Sequence, residues 1–264
     1  MERITSVKNP KVTAYVSLVS SAKSRRESGL FVLEGLRLCL DVLRSGRTVK
    51  ELYFTDEAYS SNKADIDTII GVAEQCFEIS ESVAEKMSDT KTTQGIFAVV
   101  AENEKLRDIN PSGKYILLEN IQDPANLGAV SRTAEALGID GIIVSGGCDV
   151  RSPKALRASM GALLRIPVIE TDDVIETIKS AQDKGMRTYA STPHEEATEI
   201  TEADFGGGVI VVVGNEANGV TQSTMESCKE SITIKMTGRA ESLNAGAAAS
   251  IIMWEMVKPS NDKC

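Results

Sequence analysis

The sequence predicts an α/β protein: a parallel sheet in the C-terminal part, preceded by a smaller α/β module. Three observations carry that expectation. The run Val209–Val213 is wholly β-branched and stops at Gly214, as a strand buried on both faces does. From Tyr115 onward, short apolar runs alternate with stretches of helical periodicity. Between the two parts, ENEKLRDINPSGK (102–114) is polar, holds Pro111 and Gly113 and lacks apolar periodicity, so it reads as a linker. The expected organisation is therefore a first domain over 1–101, a linker over 102–113 and a second domain over 114–264.

In the first part, residues 5–22 read as an amphipathic helix or helix pair with Val12, Val16 and Val19 on one side. SAKSRRESG reads as a turn-like segment that places Lys23, Arg25 and Arg26 just before a strand at Leu30–Leu33. A helix follows with Leu36, Leu40 and Leu43 at helical spacing and Gly46 as its stop. Strands are expected at Val49–Phe54 and Cys76–Ile79, and the apolar strand in TTQGIFAVVAE closes the module.

The second part reads as strand Tyr115–Leu118, helix Leu127–Leu137, strand Gly141–Val144, helix Pro153–Leu164, strand Ile166–Ile169, helix Asp173–Lys184 and strand Arg187–Ala190. Val209–Val213 and Ile232–Met236 are the last strands, and a small-residue helix begins at Ala245. Such alternation implies a parallel sheet covered on both faces, and open sheets of this kind bind ligands at the carboxyl ends of their strands. Gly214 and the loop Thr237–Asn244 are such ends. The Ala- and Gly-rich helix after them offers a nearly bare backbone for close packing.

Composition narrows the function classes. The chain has 264 residues, no apolar run long enough for a membrane span and no signal-peptide apolar region at its start, so a cytoplasmic protein is expected. Five scattered cysteines (Cys39, Cys76, Cys148, Cys228, Cys264) without a C-x-x-C read as buried free thiols, not as disulfides or a metal site. The single histidine, His194, weakens zinc and Ser-His chemistry further and is assigned no role. The net charge of −9 argues superficially against nucleic acid, but residues 1–50 carry ten Lys/Arg against four acids. That local excess fits either a solvated basic face or an RNA-binding one.

Three segments stand out: ENIQDPANLGAVSRTAEALG (119–138), GNEANGV (214–220), and ITIKM (232–236) followed by ESLNAGAAASI (241–251). In this order they resemble the motifs of the SpoU/TrmH family, SPOUT-class methyltransferases that transfer a methyl group from S-adenosylmethionine to a ribose 2′-hydroxyl of RNA. The segments KSRRESGLFVLEGLRL and TQGI with AVV are similar to the ribosomal-protein-like substrate-binding domain that precedes the catalytic domain in this family. The resemblance implies a trefoil knot, which periodicity alone does not reveal. It also implies a homodimer with its site near the subunit interface, and no metal. Ribosomal RNA is the first expected substrate. A transfer-RNA ribose methyltransferase, an enzyme acting on a base or a small molecule, and an RNA-binding or ribosome-assembly protein without methyl transfer are the alternatives.

By that resemblance Asn126, Arg132, Glu216, Ser242 and Asn244 are the catalytic set. Read from the residues alone, Asn126 would cap a helix, Arg132 would be a solvated arginine on the face opposite Leu127, Val130, Ala134 and Leu137, and Glu216 would cap the next helix's amides. Ser242 and Asn244 would cap the Ala-rich helix. No G-x-G-x-x-G or Walker sequence is present, and Ser145-Gly146-Gly147 reads as a turn. The resemblance instead places S-adenosylmethionine against Thr192, Gly214, Ile234, Met236 and Leu243. Gly214 suits that role because the missing Cβ lets a ligand approach the backbone. RNA contacts are expected from Lys23, Arg25, Arg26, Arg37 and Arg157; Arg157, with Ser159, could equally face a partner subunit or sit on a plain amphipathic helix. The chain departs from the family pattern at Thr93, at Lys235 in place of a proline, and at Ala245-Gly246 in place of Val-Ser. Lys235 bears on cofactor affinity, since proline would fix φ in that turn.

Overall fold

A computed structural model describes residues 1–102, 108–194 and 196–258. Cys264 and part of the expected linker (103–107) lie outside the described residues. The chain divides into two compact units: Met1–Glu104 with Asp149–Arg165, and Lys105–Cys148 with Ile166–Cys264.

Unit 1 is a five-stranded mixed sheet with helices. Its elements are β1 (Glu2–Ile4), α1 (Pro10–Ser20), α2 (Ala22–Ser28), β2 (Leu30–Glu34), α3 (Leu36–Arg44), β3 (Val49–Phe54), α4 (Asp56–Ser61), α5 (Lys63–Ile70), β4 (Gln75–Ile79), α6 (Glu81–Met87) and β5 (Ile96–Ala101). The strand order is β1-β4-β3-β5-β2, with β5 antiparallel to both neighbours. The core of one face stacks Tyr53 on Phe77 and sets Tyr15 edge-on to Tyr53 and Phe97.

One local expectation is widened and one is corrected. α1 buries the expected Val12 together with Tyr15 and Leu18, and Val19 packs partly buried against the same core, so the inner face extends beyond the valines to take in the large Tyr15 ring. SAKSRRESG is a helix, not a turn: Ser21 caps it by accepting from the Ser24 amide, and Gly29 ends it in the left-handed conformation.

Unit 2 begins with β6 (Lys114–Glu119), α7 (Pro124–Leu137) and β7 (Gly141–Ser145). The chain then runs through α8 (Pro153–Ala158) and α9 (Ala162–Arg165), which are part of unit 1. It returns as β8 (Val168–Glu170), α10 (Val174–Asp183), β9 (Arg187–Ser191), β10 (Thr198–Glu199), β11 (Val209–Val213), α11 (Gln222–Ser227), β12 (Glu230–Thr233) and α12 (Ala245–Val257). All seven strands are parallel in the order β10-β12-β9-β11-β6-β7-β8. β11 is fully buried between β9 and β6, as its unbroken β-branched run requires.

The expected helix Pro153–Leu164 is broken by a turn at Met160-Gly161, both at positive φ. It belongs to unit 1, where its arginines pair with acids of that unit. The last strand is Glu230–Thr233 and not Ile232–Met236, so Ile234, Lys235 and Met236 belong to the loop that follows.

None of the four described cysteines, Cys39, Cys76, Cys148 and Cys228, forms a disulfide, and only Cys39 is fully buried. Burial, reinforced by Glu34 and Glu119 respectively, pushes the Cys39 and Cys228 thiols up to about 12, which leaves both protonated and unreactive. No described helix is long and apolar enough to cross a membrane, and the described residues hold no group of three or more metal-ligating side chains.

Candidate active site

The site of unit 2 is built where β6, β9, β11 and β12 end. Asp123, not Asn126, caps α7: its carboxylate accepts from the Ala125 amide at 2.9 Å, and Pro124 occupies the first turn, where a missing N–H costs nothing. This earlier start frees the Asn126 side chain. Asn126 is 7% exposed and uses both ends of its amide. Its Nδ2 donates to Glu216 Oε1 at 2.8 Å, and its Oδ1 accepts from Asn244 Nδ2 at 2.9 Å. Asn244 in turn caps α12, accepting from the Ala247 amide at 3.1 Å. One directed series of bonds thus ties the start of α12 through Asn244 and Asn126 to Glu216. Capping and site-building are one arrangement at Asn244.

Glu216 does not cap the helix after it. Its Oε2 accepts from the Gln122 amide at 3.2 Å and its Oε1 from the Asp123 amide at 3.2 Å, beside the bond from Asn126. Partial burial pushes this carboxyl up. Hydrogen bonds from Asn126, its own amide, and the Gln122 and Asp123 amides outweigh that and hold it below the usual range. Glu216 is therefore ionised at neutral pH, a firm acceptor and a poor base.

Arg132 is exposed on the outer side of α7, opposite the buried Leu127, Val130 and Ala134, and no described residue bonds to it. Ser242 is exposed and lines the cleft described next.

Beside this network lies a cleft of about 430 Å³, within the range of small-molecule sites. Thr192, Gly214, Ile234, Met236 and Leu243 all line it, so the structure brings the five expected cofactor positions to one wall. A Cβ at Gly214 would collide with the carbonyl carbon of Gly219 and the nitrogen of Val220, so its own loop demands glycine, whatever ligand approaches. Gly246 plays a milder version of this part: a Cβ would stand 3.3 Å from Asn126 Oδ1 and 3.4 Å from the Ala129 methyl, which lets α12 pack directly on α7.

Several participants were not anticipated. Glu119, at the end of β6 and 8% exposed, accepts from the Thr221 amide (2.9 Å), Thr221 Oγ1 (2.8 Å) and Thr224 Oγ1 (2.6 Å), and so fastens the loop after β11. Asn215 Nδ2 donates to the carbonyl of Asn120, which sits at a positive φ of 58°. His194 and Glu241 line the cleft. Only Glu119 had a sequence signal, a carboxylate at the end of an apolar strand; the others depend on which loops meet.

Of the cations expected at RNA, Lys23, Arg26 and Arg37 are exposed. Arg25 is 4% exposed and turned inward, its Nη2 on Asp149 (2.7 Å) and its Nη1 on the carbonyls of Leu18 and Val19. Arg157 is half-buried on Asp89 at 2.6 Å. Neither guanidinium is free for a phosphate in this arrangement.

Comparison with known proteins divides the chain by sequence, with Asp149–Arg165 of unit 1 falling inside the C-terminal match. The profile of the SpoU rRNA Methylase family matches residues 113–254, and that of the MRM3-like substrate binding domain matches residues 9–98. The chain is 30% identical to the 23S rRNA (guanosine(2553)-2′-O)-methyltransferase RlmP of Bacillus subtilis, over 97% of this chain and 99% of that one. A crystal structure of an AdoMet-bound rRNA methyltransferase from Sinorhizobium meliloti superposes with a TM-score of 0.84 at 27% identity, covering 97% of each chain. The AdoMet complex of the SpoU methyltransferase AviRb from Streptomyces viridochromogenes shares the fold, with a TM-score of 0.85 at 22% identity over 95% of this chain and 97% of that one.

Proposed function

The chain belongs to the SpoU rRNA methylase family, and from that premise we propose that it transfers the methyl group of S-adenosylmethionine to a ribose 2′-hydroxyl of ribosomal RNA. The observation that carries this reading is the Asn126 amide, which joins Glu216 and Asn244 at the edge of the cleft. The cleft fits the cofactor in size and chemistry. Ile234, Met236 and Leu243 offer apolar surface, and no Lys or Arg is among the residues lining it, so a cation is not repelled. When bound, the cofactor supplies a methyl group on a positively charged sulfur.

The chain's own residues orient the other reactant. In the reaction the ribose oxygen gains the methyl and gives up its proton. Glu216, ionised and already accepting three hydrogen bonds, orients neighbouring groups and is not the proton acceptor. Arg132 grips the phosphate beside the target nucleotide, a bidentate task for which guanidinium is suited and for which proton abstraction is not required. Arg132→Lys should therefore lower kcat/KM by about tenfold, the loss of one charge-assisted hydrogen bond. Nearly full transfer by Arg132→Lys at neutral pH would remove the bidentate role.

The same reading includes a homodimer. Ala247, Ile251 and Trp254 form an exposed stripe along α12, with Ile251 39% and Trp254 57% exposed, and Ala125, Ala129 and Ala136 are exposed along α7 beside Arg132. A second copy covering this face would bring its partner's groups to Arg132. Trp254→Ala with Ile251→Asp should yield a monomer in sedimentation; a variant that stays dimeric would place the interface elsewhere. The family's trefoil knot and a cytoplasmic setting, consistent with described cysteines that form no disulfide, belong to the proposal as well.

The test is transfer of labelled methyl to unmodified ribosomal and transfer RNA, beside Arg132→Ala. Label in ribosomal RNA that protects one linkage from alkali, and that is lost in the variant, supports the reading. Label in transfer RNA alone would move the substrate class, and no label without cofactor binding would leave an RNA-binding protein.

A further inference from the structure

Residues 1–50 owe their positive charge to ten cations, and the structure separates those already neutralised from those left over. Arg3 pairs with Glu78 (3.2 Å), Lys11 with Glu51 (2.6 Å), Lys23 with Glu27 (3.7 Å) and Lys50 with Glu74 (2.7 Å). Arg25 is buried on Asp149, and Arg47 donates to the carbonyl of Leu164. Lys8, Arg26, Arg37 and Arg44 remain exposed with no partner among the described residues. Two of these four share one face of one helix. Arg37 and Arg44 stand seven residues apart on α3, two turns and about 10.5 Å along its axis.

The acids nearby are arranged to leave that face uncancelled. Asp41 is four residues after Arg37 and three before Arg44, where a surface carboxylate would neutralise both. Instead it is 7% exposed, with Oδ2 2.9 Å from Arg165 Nη1. That contact is an ion pair without an aligned hydrogen bond at Oδ2. Glu34, the other acid between residues 30 and 50, is 9% exposed. It accepts from Ser88 Oγ (2.5 Å), Thr90 Oγ1 (2.7 Å) and the Asp89 amide (3.0 Å), and faces Arg157 Nη1 at 3.8 Å. Both acids are thus drawn inward, each facing an arginine from the segment Asp149–Arg165, which lies in the midst of unit 2 in sequence but belongs to unit 1.

We propose that the outer face of α3, through Arg37 and Arg44, is an RNA-phosphate contact surface, and that Arg165, by holding Asp41 inward, keeps it cationic. The ligand class rests on the methyltransferase reading above; the surface itself does not depend on turnover. Arg157 is then a member of the fold that shields Glu34, and Arg25 a core ion pair, while phosphate binding falls to the cations with no acid to answer them.

The experiment uses the full-length protein and an unmodified 23S rRNA transcript, with affinity measured between about 50 and 200 mM salt. Each phosphate contact contributes about 0.7–0.9 to the slope of log K against log salt, so Arg37→Ala with Arg44→Ala should reduce that slope by about 1.4–1.8. Lys50→Ala, which removes a cation already paired with Glu74, should leave it unchanged. Arg165→Ala should reduce the slope as well, although Arg165 is not on the outer face, and adding Asp41→Asn should restore it. That restoration separates charge sequestration from a simple loss of folding, and an unchanged circular dichroism spectrum and thermal transition in each variant verify that unit 1 is folded. An unchanged slope in the α3 double variant overturns the surface; an unchanged slope in Arg165→Ala, or no recovery with Asp41→Asn, overturns the role of Arg165. A reduced slope in a protein that transfers no methyl would support this surface and sink the enzymatic reading, whereas full transfer with an unchanged slope would do the reverse.

Discussion

The two units differ in how they hold their carboxylates. In unit 1 four of them meet arginines, Asp149 with Arg25, Glu102 with Arg151, Asp89 with Arg157 and Asp41 with Arg165, and Glu34 alone among those described above is held chiefly by Ser88, Thr90 and the Asp89 amide. In unit 2 Glu119 and Glu216, which fasten the loops that build the site, meet only neutral donors, amide N–H groups and threonine hydroxyls. An ion pair cancels charge and holds two segments together, whereas a carboxylate held by neutral donors is equally fixed and keeps its charge. The first arrangement builds a scaffold. The second leaves a negative field beside a cleft proposed to take a cationic cofactor, and makes RNA phosphates depend on cations outside the cleft wall, Arg132 among them.

The contrast can be broken most severely in unit 1. Arg25→Ala would leave Asp149 without its partner and two backbone carbonyls without a donor, a loss of about 3–5 kcal/mol in chemical denaturation. It should not change the salt slope of RNA binding measured on the folded fraction. A change of slope with unaltered stability would mean that Arg25 faces RNA after all.

Next in size is Asn126→Ala, which removes the one side chain that joins Glu216 to Asn244. Misplacing the reacting groups by an ångström costs roughly 100-fold in rate, so kcat should fall by about that factor. The cofactor Kd should move far less, since Asn126 is not on the cleft wall. Equal losses in kcat and cofactor affinity would show that the network builds the cleft and does not orient the reactants.

The pH dependence sharpens the same point. Because its hydrogen bonds hold the Glu216 carboxyl below the usual carboxylate range, its contribution to stability is fully present above the unfolded-state value and is lost as pH falls through the lower folded-state value. Between neutrality and the ordinary carboxylate range, the wild-type protein should show no loss of kcat/KM assignable to Glu216. A wild-type limb within that window that disappears in Glu216→Gln would restore the carboxylate as a proton acceptor.

How much of this was legible beforehand follows from the range of each signal. Local periodicity located Val49–Phe54 to the residue and most strands of unit 2 to within one or two, since β-branched runs and helical spacing are set by near neighbours. Motif resemblance named the residues of the network, whereas the local reading gave Asn126 a cap that belongs to Asp123, because Asp-Pro and Asn both suit a helix start. The two-residue strand β10 and the assignment of Asp149–Arg165 to unit 1 depend on partners far away in sequence. The same holds for Arg25, which reads as a surface arginine until Asp149, 124 residues later, is placed against it.

Lys235 is the smallest test and the most informative about sequence substitution. Proline at this position would fix the turn covalently. Here Ile234 and Met236 line the cleft while the Lys235 ammonium lies 2.5 Å from Glu199 on the edge strand β10. The hydrogen bond that the Lys235 ammonium donates to Glu199 raises its pKa, so the pair stays intact through neutral pH. The two cleft-lining side chains are thus held from behind by an exposed ion pair in place of a ring. Exposed pairs are weak, so Lys235→Ala should change cofactor affinity by less than about fivefold and lose even that difference at high salt. Lys235→Pro should match or exceed the wild type, since it restores the constraint by other means. A Lys235→Ala variant with cofactor binding lost altogether would show the ammonium to be a cofactor ligand in its own right, and the turn's geometry to be held elsewhere.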